Sequence, residues 1–451
     1  MNRGPSHNIP FSAALGAWAR IGLQSFGGPA GQIAVMHRIL VDEQRWVSEH
    51  RFLLALNYCT LLPGPEAQQL ATYMGWLLHG ARGGLAAGLL FILPGFVAML
   101  LLAALYVTLG HVPVVDGFFL GLKAAVLALV AAAVTRIGQR ALRTSVARAV
   151  AVLAFTAIFV FALPFPFIVL AAGVFGLLWT RSGRMDFAGG AEHDAAANAP
   201  PPVIDDAQLN HVTPTWRRAL RLLALWLSIW FLPIAATALW LGPDHVAVSS
   251  SLFFAKMAVV TFGGAYAVLA YVAQQAVEHY AWLTPAQMLD GLGLAETTPG
   301  PLILVVQFVG FLAGQHAPGV LSAPASALLC ASLAVWVTFA PCFLWIFLGA
   351  PYVEQLRRQP TLAGALAAIT AAVVGVIMNL ALWFALHTLF TQSQPRLPGT
   401  ALALPVLQSA HGPAIALAAL ALFLTFRLHW PALRMLMTVA ALGAAWVVLS
   451  G

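Results

Sequence analysis

The sequence predicts an all-α polytopic membrane protein in which two homologous halves form an inverted repeat with broken or re-entrant helices. Three observations predict this fold class: the composition, a series of about 13 hydrophobic segments, and glycine- and proline-rich interruptions that recur at a fixed spacing. Of the 451 residues, 61% are hydrophobic and 8% are charged, whereas soluble domains have about 45–50% apolar and about 25% charged residues. The chain is therefore expected to lie in a lipid bilayer.

The basic residues favour membrane topology over nucleic-acid binding as the explanation of the net charge of +7. They occur as short clusters between apolar segments, and by the positive-inside rule such clusters mark cytoplasmic loops. The clusters lie at residues 136–148, 181–221, 357–358 and 427–434. This pattern predicts lipid and not nucleic acid as a partner, and it places the N-terminus in the cytoplasm.

The three cysteines indicate neither a metal site nor a disulfide framework. Cys59, Cys330 and Cys342 all lie in apolar segments and lack the spacing of metal ligands. We therefore predict buried thiols, no metal and no cofactor.

The first four apolar segments are short. Residues 11–26 form a helix of roughly 24 Å at 1.5 Å per residue, less than the ~30 Å hydrocarbon core, and three more short segments follow at residues 30–41, 52–62 and 66–80, the last leading to His79 and Arg82. Re-entrant hairpins would keep the flanking arginines on the cytoplasmic side. Two pairs of full spans remain the alternative.

Longer segments complete the first repeat, residues 1–180, at residues 83–109, 113–135, 145–163 and 164–180. Residues 181–216, rich in Asp, Ala, Gly and Pro, cannot bury a core and are predicted to be a flexible cytoplasmic linker. Residues 217–248 supply one connecting transmembrane helix. The number of preceding spans is then odd, so the second repeat would enter from the opposite side, which defines an inverted repeat.

The second repeat, residues 249–451, is expected to follow the same plan. Residues 249–279 and 284–316 correspond to the short pairs of the first repeat. Longer apolar segments follow at residues 320–350, 361–389, 402–426 and 431–450.

The interruptions recur 236 residues apart, which indicates a duplication. The matched pairs are Phe26-Gly27-Gly28 with Phe262-Gly263-Gly264, Trp46 with Trp282, and Pro63-Gly64-Pro65 with Pro299-Gly300-Pro301. At the same spacing, a cation and a hydroxyl recur in the pairs Arg20 with Lys256 and Ser25 with Thr261.

Broken helices inside a bilayer predict an anion-binding site. Lipid cannot satisfy the freed backbone groups, so such breaks are tolerated only inside protein or beside a water-filled cavity. Helices that start after Gly28, Pro65, Gly264 and Pro301 would each present free N–H groups and about half a positive charge. Further candidate substrate-binding groups are Arg20, Ser25, Gln68, Gln69, Lys256, Thr261, Thr297 and Thr298. A tetrahedral oxyanion dianion would suit this site, although the same glycines and prolines would also serve close helix packing and kinks.

Four ionisable residues are candidates for coupling or gating. Lys123 lies too deep in its apolar segment for easy snorkelling, which favours a function, and a structural ion pair with Asp116 is the alternative. Glu66 would lie in the first turn of a helix, where the macrodipole stabilises a carboxylate without any transport role. Glu296 precedes the second Pro-Gly-Pro and is a candidate proton-binding or gating group.

These motifs resemble the CHR family of chromate ion transporters. In that family each half carries an FGGP-like break and a PGP break, followed in the first half by a glutamine-rich helix start; here that start reads PGPEAQQLATYMG over residues 63–75. The resemblance covers residues 11–389 and implies chromate efflux across a bacterial inner membrane, chromate resistance and competition by sulfate. Alternating access driven by the membrane potential or by proton antiport would be the mechanism.

Two departures from the pattern make the halves unequal: Ala265 stands where the first half has Pro29, and about eleven extra residues precede Pro341, which aligns with Pro94. An importer of sulfate or another oxyanion is the first rival function. A membrane enzyme such as a chromate reductase is the second, but no dinucleotide fingerprint, CxxC or paired-His haem signature is visible. A homodimer is left open.

Overall fold

The computed structural model describes residues 9–26, 28–110, 112–183, 215–260, 262, 265–350, 360–392 and 405–450. These residues are almost entirely helical, and within them the only β-pairing is an isolated bridge between Phe390 and Ala410. Six of the described helices are long and apolar enough to cross a membrane. The all-α polytopic prediction is therefore confirmed. The central part of the predicted linker, residues 184–214, lies outside the described residues.

The α-helices, in chain order, are α1 (Phe11–Gln24), α2 (Gly28–His37), α3 (Glu49–Leu61), α4 (Glu66–Leu109), α5 (Pro113–Ala141), α6 (Ser145–Phe159), α7 (Phe165–Arg181), α8 (Trp216–Leu241), α9 (Val246–Val260), α10 (Ala265–Ala273), α11 (Pro285–Thr297), α12 (Val305–His316), α13 (Ala323–Gly349), α14 (Pro360–Leu389), α15 (Gly412–Phe426) and α16 (Ala432–Ser450). Two π-helices, Arg38–Glu43 and Gln274–His279, continue α2 and α10. A 3-10 turn, Leu302–Leu304, leads into α12.

The described residues divide into two compact units, and each unit takes segments from both halves of the sequence. The first unit comprises the described parts of Met1–Leu100, Gly190–Ala265 and Thr298–Gln359. Its core is a large apolar cluster in which Trp226 stacks on Phe343 with ring centroids 5.4 Å apart. The first residues of the helices that start at the four interruptions, Gly28, Glu66, Ala265 and Leu302, belong to this unit.

A sharp bend divides α4 inside the first unit. His79 and Gly80 leave helical geometry, and Gly80 has a φ of +60°. Small residues let the two arms fold back against each other: a Cβ added to Gly75 would lie 2.3 Å from the Gly83 carbonyl oxygen. The break that the sequence predicts near His79 is confirmed, so the 44 residues of α4 do not form one straight span.

The second unit comprises the described parts of Leu101–Gly189, Tyr266–Thr297 and Pro360–Gly451. Its long helices also cross at glycines. A Cβ on Gly117 of α5 would lie 2.7 Å from the Gly443 carbonyl oxygen of α16, and one on Gly176 of α7 would lie 2.5 Å from the Gly364 carbonyl oxygen of α14. On α11, a Cβ on Gly293 would lie 2.4 Å from Leu122 Cγ. This close packing holds α11 against α5.

Candidate functional site

Four helix starts converge on one small cavity in the first unit, which we call the cradle. Its lining comes from the first turns of α2 and α4, from the first residue of α10 and from the 3-10 turn before α12; the residues are Pro29, Gln32, Pro65, Glu66, Ala67, Ala265, Pro301, Leu302 and Ile303. The cavity has a volume of about 20 Å³, which holds about one water molecule. The cavity is therefore smaller than a tetrahedral oxyanion in this conformation.

Local backbone chemistry explains why the helices start here. Gly64 and Gly300 have φ values of +115° and +89°, a region that residues with a Cβ avoid. The proline after each of them then precedes the first helical turn, where its missing N–H costs nothing. In these turns Gln69 N–H donates to the Pro65 carbonyl (3.1 Å), and Leu304 N–H donates to the Pro301 carbonyl (2.9 Å). The amides before Gln69 and Leu304 precede the first helical acceptors and are the groups an anion can use.

Hydrogen bonds join the first and last interruptions at the cradle. The N–H of Gly300 donates to the Ser25 carbonyl at 2.8 Å, and Gln32 Nε2 donates to the Gly300 carbonyl at 2.7 Å. Gln32 is buried and lines the cavity. Its amide therefore fixes the distance between two helix starts that are 268 residues or more apart in sequence.

The predicted polar side chains near the interruptions mostly donate hydrogen bonds to acceptors a few residues away in the same segment. The hydroxyl of Ser25 donates to the Ile21 carbonyl (2.6 Å), and that of Thr297 to the Leu294 carbonyl (2.8 Å). Gln68 Nε2 donates to Thr72 Oγ1 (3.0 Å), while Gln69 Nε2 donates to the Pro63 carbonyl (2.7 Å). Phe26, Phe262, Thr298 and Pro299 belong to the interruptions but not to the cradle lining. Gly27, Thr261, Gly263 and Gly264 lie outside the described residues.

The two predicted cations do not line the cradle. Arg20 is exposed and forms an ion pair with Glu43, which Arg38 also approaches at 3.4 Å. Lys256 is exposed on α9. Among the described residues that line the cradle there is no lysine or arginine, so its helix N-termini are the groups that favour an anion there.

Two buried carboxylates of α11 in the second unit, Asp290 and Glu296, each have polar partners of their own. Lys123 Nζ is 3.3 Å from Asp290 Oδ1, and Tyr106 Oη donates to Asp290 Oδ2 at 2.9 Å. The alternative that pairs Lys123 with Asp116 is therefore wrong: Asp116 lies seven residues earlier on the same helix, roughly 10 Å along its axis. Glu296 accepts a hydrogen bond of 2.5 Å from Tyr266 Oη, and the charge of Arg136 also acts on it.

Sequence reasoning missed Asp290, Tyr106, Tyr266 and Gln32. For Asp290 a signal was present, because a carboxylate in the apolar run MLDGLGL is as unusual inside a membrane as Lys123. Gln32 and the tyrosines carried no such signal, since their roles depend on which segments meet in the fold.

Comparison with known proteins identifies the family. The model of the family described as "Chromate transporter" matches residues 13–177 and 248–446. A chromate transport protein of Pseudomonas aeruginosa is 34% identical over 375 residues, which cover 79% of this chain and 77% of that protein. A chromate transport protein of Cupriavidus metallidurans is 28% identical over 361 residues, covering 79% of this chain and 78% of the relative.

A third relative, a probable chromate transport protein of Synechococcus elongatus, is 28% identical over 360 residues, covering 79% of this chain and 80% of the relative. No solved structure matches the chain. The relatives are named as transport proteins and not as enzymes, which agrees with the multiple apolar helices of a multi-pass membrane protein. Because the family model covers most of the sequence, this chain belongs to the chromate transporter family.

Proposed function

We propose that this protein exports chromate across the bacterial inner membrane by alternating access around the cradle, and thereby confers chromate resistance. The observation that carries the proposal is the convergence of four helix starts on one buried cavity. Oriented N–H groups and positive dipole ends favour an anion at such a place. The names of the relatives supply the substrate, chromate.

A cradle made of backbone dipoles suits a carrier, because a carrier must release what it binds. An arginine or lysine in direct contact would hold a dianion strongly in a low-dielectric site. We propose that Arg20 and Lys256, both exposed, act on the approaching anion and not as its final ligands. Because the cavity is small, we propose that its helix starts move apart to admit a tetrahedral oxyanion.

A duplicated, inverted architecture would provide that movement. Equivalent elements recur 236 residues apart: the π-helix Arg38–Glu43 matches Gln274–His279, and α3 matches α11 at both ends. Positive φ values recur at the same spacing, in Arg45 and Ala281 as well as in Gly64 and Gly300. The two separate matches to the family model also favour a duplication. Inverted repeats typically rock about a central site that faces each side in turn.

The membrane potential favours export of this substrate. Moving one charge through 100 mV is worth about 2.3 kcal/mol, so a dianion that leaves a negative-inside cell gains roughly twice that. Proton antiport would add to this force, and we propose Glu66, Lys123, Asp116 and Glu296 as its coupling or gating groups. Import of sulfate or another oxyanion is the alternative, and it would use the same cradle against the potential.

Transport of labelled chromate into everted membrane vesicles tests the proposal. We expect wild-type vesicles to accumulate chromate and Gln32→Leu to slow uptake by about fivefold or more, because one buried hydrogen bond is worth roughly 1 kcal/mol and its loss also frees two helix starts. Gln139→Leu, at an exposed glutamine of α5, is the matched control and should transport normally.

Two results would contradict the proposal. Uptake of sulfate by right-side-out vesicles, without chromate uptake by everted ones, would support the importer. Normal chromate uptake by Gln32→Leu would remove the cradle from the substrate path.

A further inference from the structure

The strongest unexplained feature of the second unit is the ion pair of Asp290 with Lys123. The side chain of Asp290 is 5% exposed and that of Lys123 is 21% exposed. Lys123 Nζ lies 3.3 Å from Oδ1 as an ion pair, and Tyr106 donates a hydrogen bond to Oδ2 at 2.9 Å. The pair joins α11 to α5 and is not part of the cradle lining.

Stability alone does not account for such a pair. Desolvation of two buried charges roughly cancels their attraction, and apolar residues of similar size often stabilise a protein equally well or better. Loss of one charge, in contrast, leaves the other buried and unpaired at a high cost. The pair is therefore sensitive to anything that neutralises Asp290, and a proton is the ligand that does so.

The ionisable groups around Asp290 come from the helices that pack against α11 and from α4. Lys123 and Asp116 act on it from α5, and Tyr106 acts on it from α4. The helices α14 and α16 also pack against α11. Their only ionisable side chains, His387 and Arg434, contact Trp383 and Trp430 instead.

We propose that Asp290 is the proton-binding site through which a proton gradient drives transport, and that its protonation breaks the Lys123 contact between α11 and α5. One proton from the aqueous phase adds to a carboxylate oxygen, while Lys123 stays an ammonium ion. The proton leaves again when the opposite side is open, and the ion pair re-forms. Chain continuity provides the route to the substrate, because α11 ends at Thr297 and Pro301 of the cradle follows four residues later. This inference rests on the proposed function, whose coupling step it names.

The test separates driven transport from exchange in everted vesicles. Uptake of labelled chromate is measured under a pH gradient with the potential clamped at zero, and exchange of labelled for unlabelled chromate is measured with no gradient. We expect Asp290→Asn to reduce the gradient-driven component by about tenfold or more, equal to ~1.4 kcal/mol, while exchange continues. The exposed Asp244→Asn is the control for loss of a carboxylate and should behave as the wild type.

The double variant D290N/K123M guards against misfolding, because it removes both charges of the pair together. We expect it to retain exchange and to lack the response to the pH gradient. A double variant that responds to the gradient as the wild type does would overturn the proposal, since the pair would then be structural only.

Tyr106→Phe supplies a further readout that keeps the ion pair intact. Without the tyrosine donor the charged carboxylate is less stabilised, so the midpoint of the pH dependence of gradient-driven uptake should move to higher pH. An unchanged pH profile would contradict the role of Asp290. Wild-type uptake that depends on the potential but not on the pH gradient would also overturn this inference, but it would not contradict the proposed function. A wild type that moves no chromate under either force would contradict the proposed function itself.

Discussion

Gly64 illustrates how single residues build the cradle. Its φ of +115° turns the chain between α3 and α4, and a Cβ at this position would lie 2.9 Å from Cys342 Sγ and 3.0 Å from Gln69 Nε2. Neither the backbone conformation nor the surrounding space accepts a side chain. The backbone conformation therefore requires glycine, and a side chain here would also have to displace Cys342 Sγ.

Gly64→Ala is predicted to destabilise the protein by about 1–3 kcal/mol, because the strained backbone and the contact with Cys342 both raise the energy of the folded state. The measurement is the thermal unfolding midpoint of purified protein in detergent, together with the yield of monodisperse protein. Gly16→Ala is the matched control, since a Cβ on Gly16 would meet nothing within 4 Å. Equal midpoints for the two variants would contradict the assigned geometry.

Residues whose role is local could be read from the sequence, whereas residues defined by a distant partner could not. Gly64, Pro65, Gly300 and Pro301 each carry a conformational requirement that is visible in a few neighbouring letters. Asp290 differs, because only the packing of α11 on α5 brings it to Lys123. The same limit explains why Asp116, the nearest carboxylate in sequence, was the wrong partner.

At the scale of elements, the helix starts were predicted and the helix types were not. Helices begin at Gly28, Glu66, Ala265 and Leu302 as the interruptions require. The π-helices at Arg38–Glu43 and Gln274–His279 were missed, because no residue pattern in the local sequence distinguishes a single π-turn from the α-helix that it continues. The segment predicted at residues 402–426 shows the usual error at helix ends: α15 begins only at Gly412, where His411 Nδ1 caps the Ala414 N–H.

The first turn of α4 provides a test of the helix dipole as the source of affinity. Glu66 lines the cradle in this turn, so its carboxylate competes with a dianion for the same N–H groups. We predict that Glu66→Gln lowers the KM for chromate by up to about fivefold, since charges at helix N-termini are worth roughly 1 kcal/mol. The measurement is the concentration dependence of initial uptake into everted vesicles.

The control for this prediction is Asp244→Asn, which removes an exposed carboxylate outside the cradle and should leave the KM unchanged. A raised KM for Glu66→Gln would instead mean that the carboxyl group assists binding.

For the whole molecule, the all-helical, multi-pass class could be predicted from composition, whereas the grouping of the helices could not. Each compact unit combines segments from both halves of the chain, whereas the predicted domain boundaries follow the repeat. The division into repeats and the division into compact units are compatible, because a repeat reflects duplication of the sequence and a compact unit reflects packing of the helices. Hydropathy contains no information about which helices from different halves pack together, so the grouping had to come from the structure.

The charge carried per transport cycle is a property of the whole molecule and distinguishes the proposed driving forces. Export of a dianion alone moves two charges, worth about 4.6 kcal/mol per 100 mV, so each tenfold chromate gradient requires about 30 mV. Exchange against one proton at Asp290 would move three charges and lower this value to about 20 mV. The chromate gradient would also change about tenfold per pH unit.

We predict that the wild type moves three charges per cycle. Asp290→Asn should move two charges, and its chromate gradient should not depend on pH. The measurement is the steady-state chromate gradient in everted vesicles at several imposed potentials and pH gradients. A gradient independent of the potential would show that no net charge moves, and electrogenic export by this protein would then be wrong.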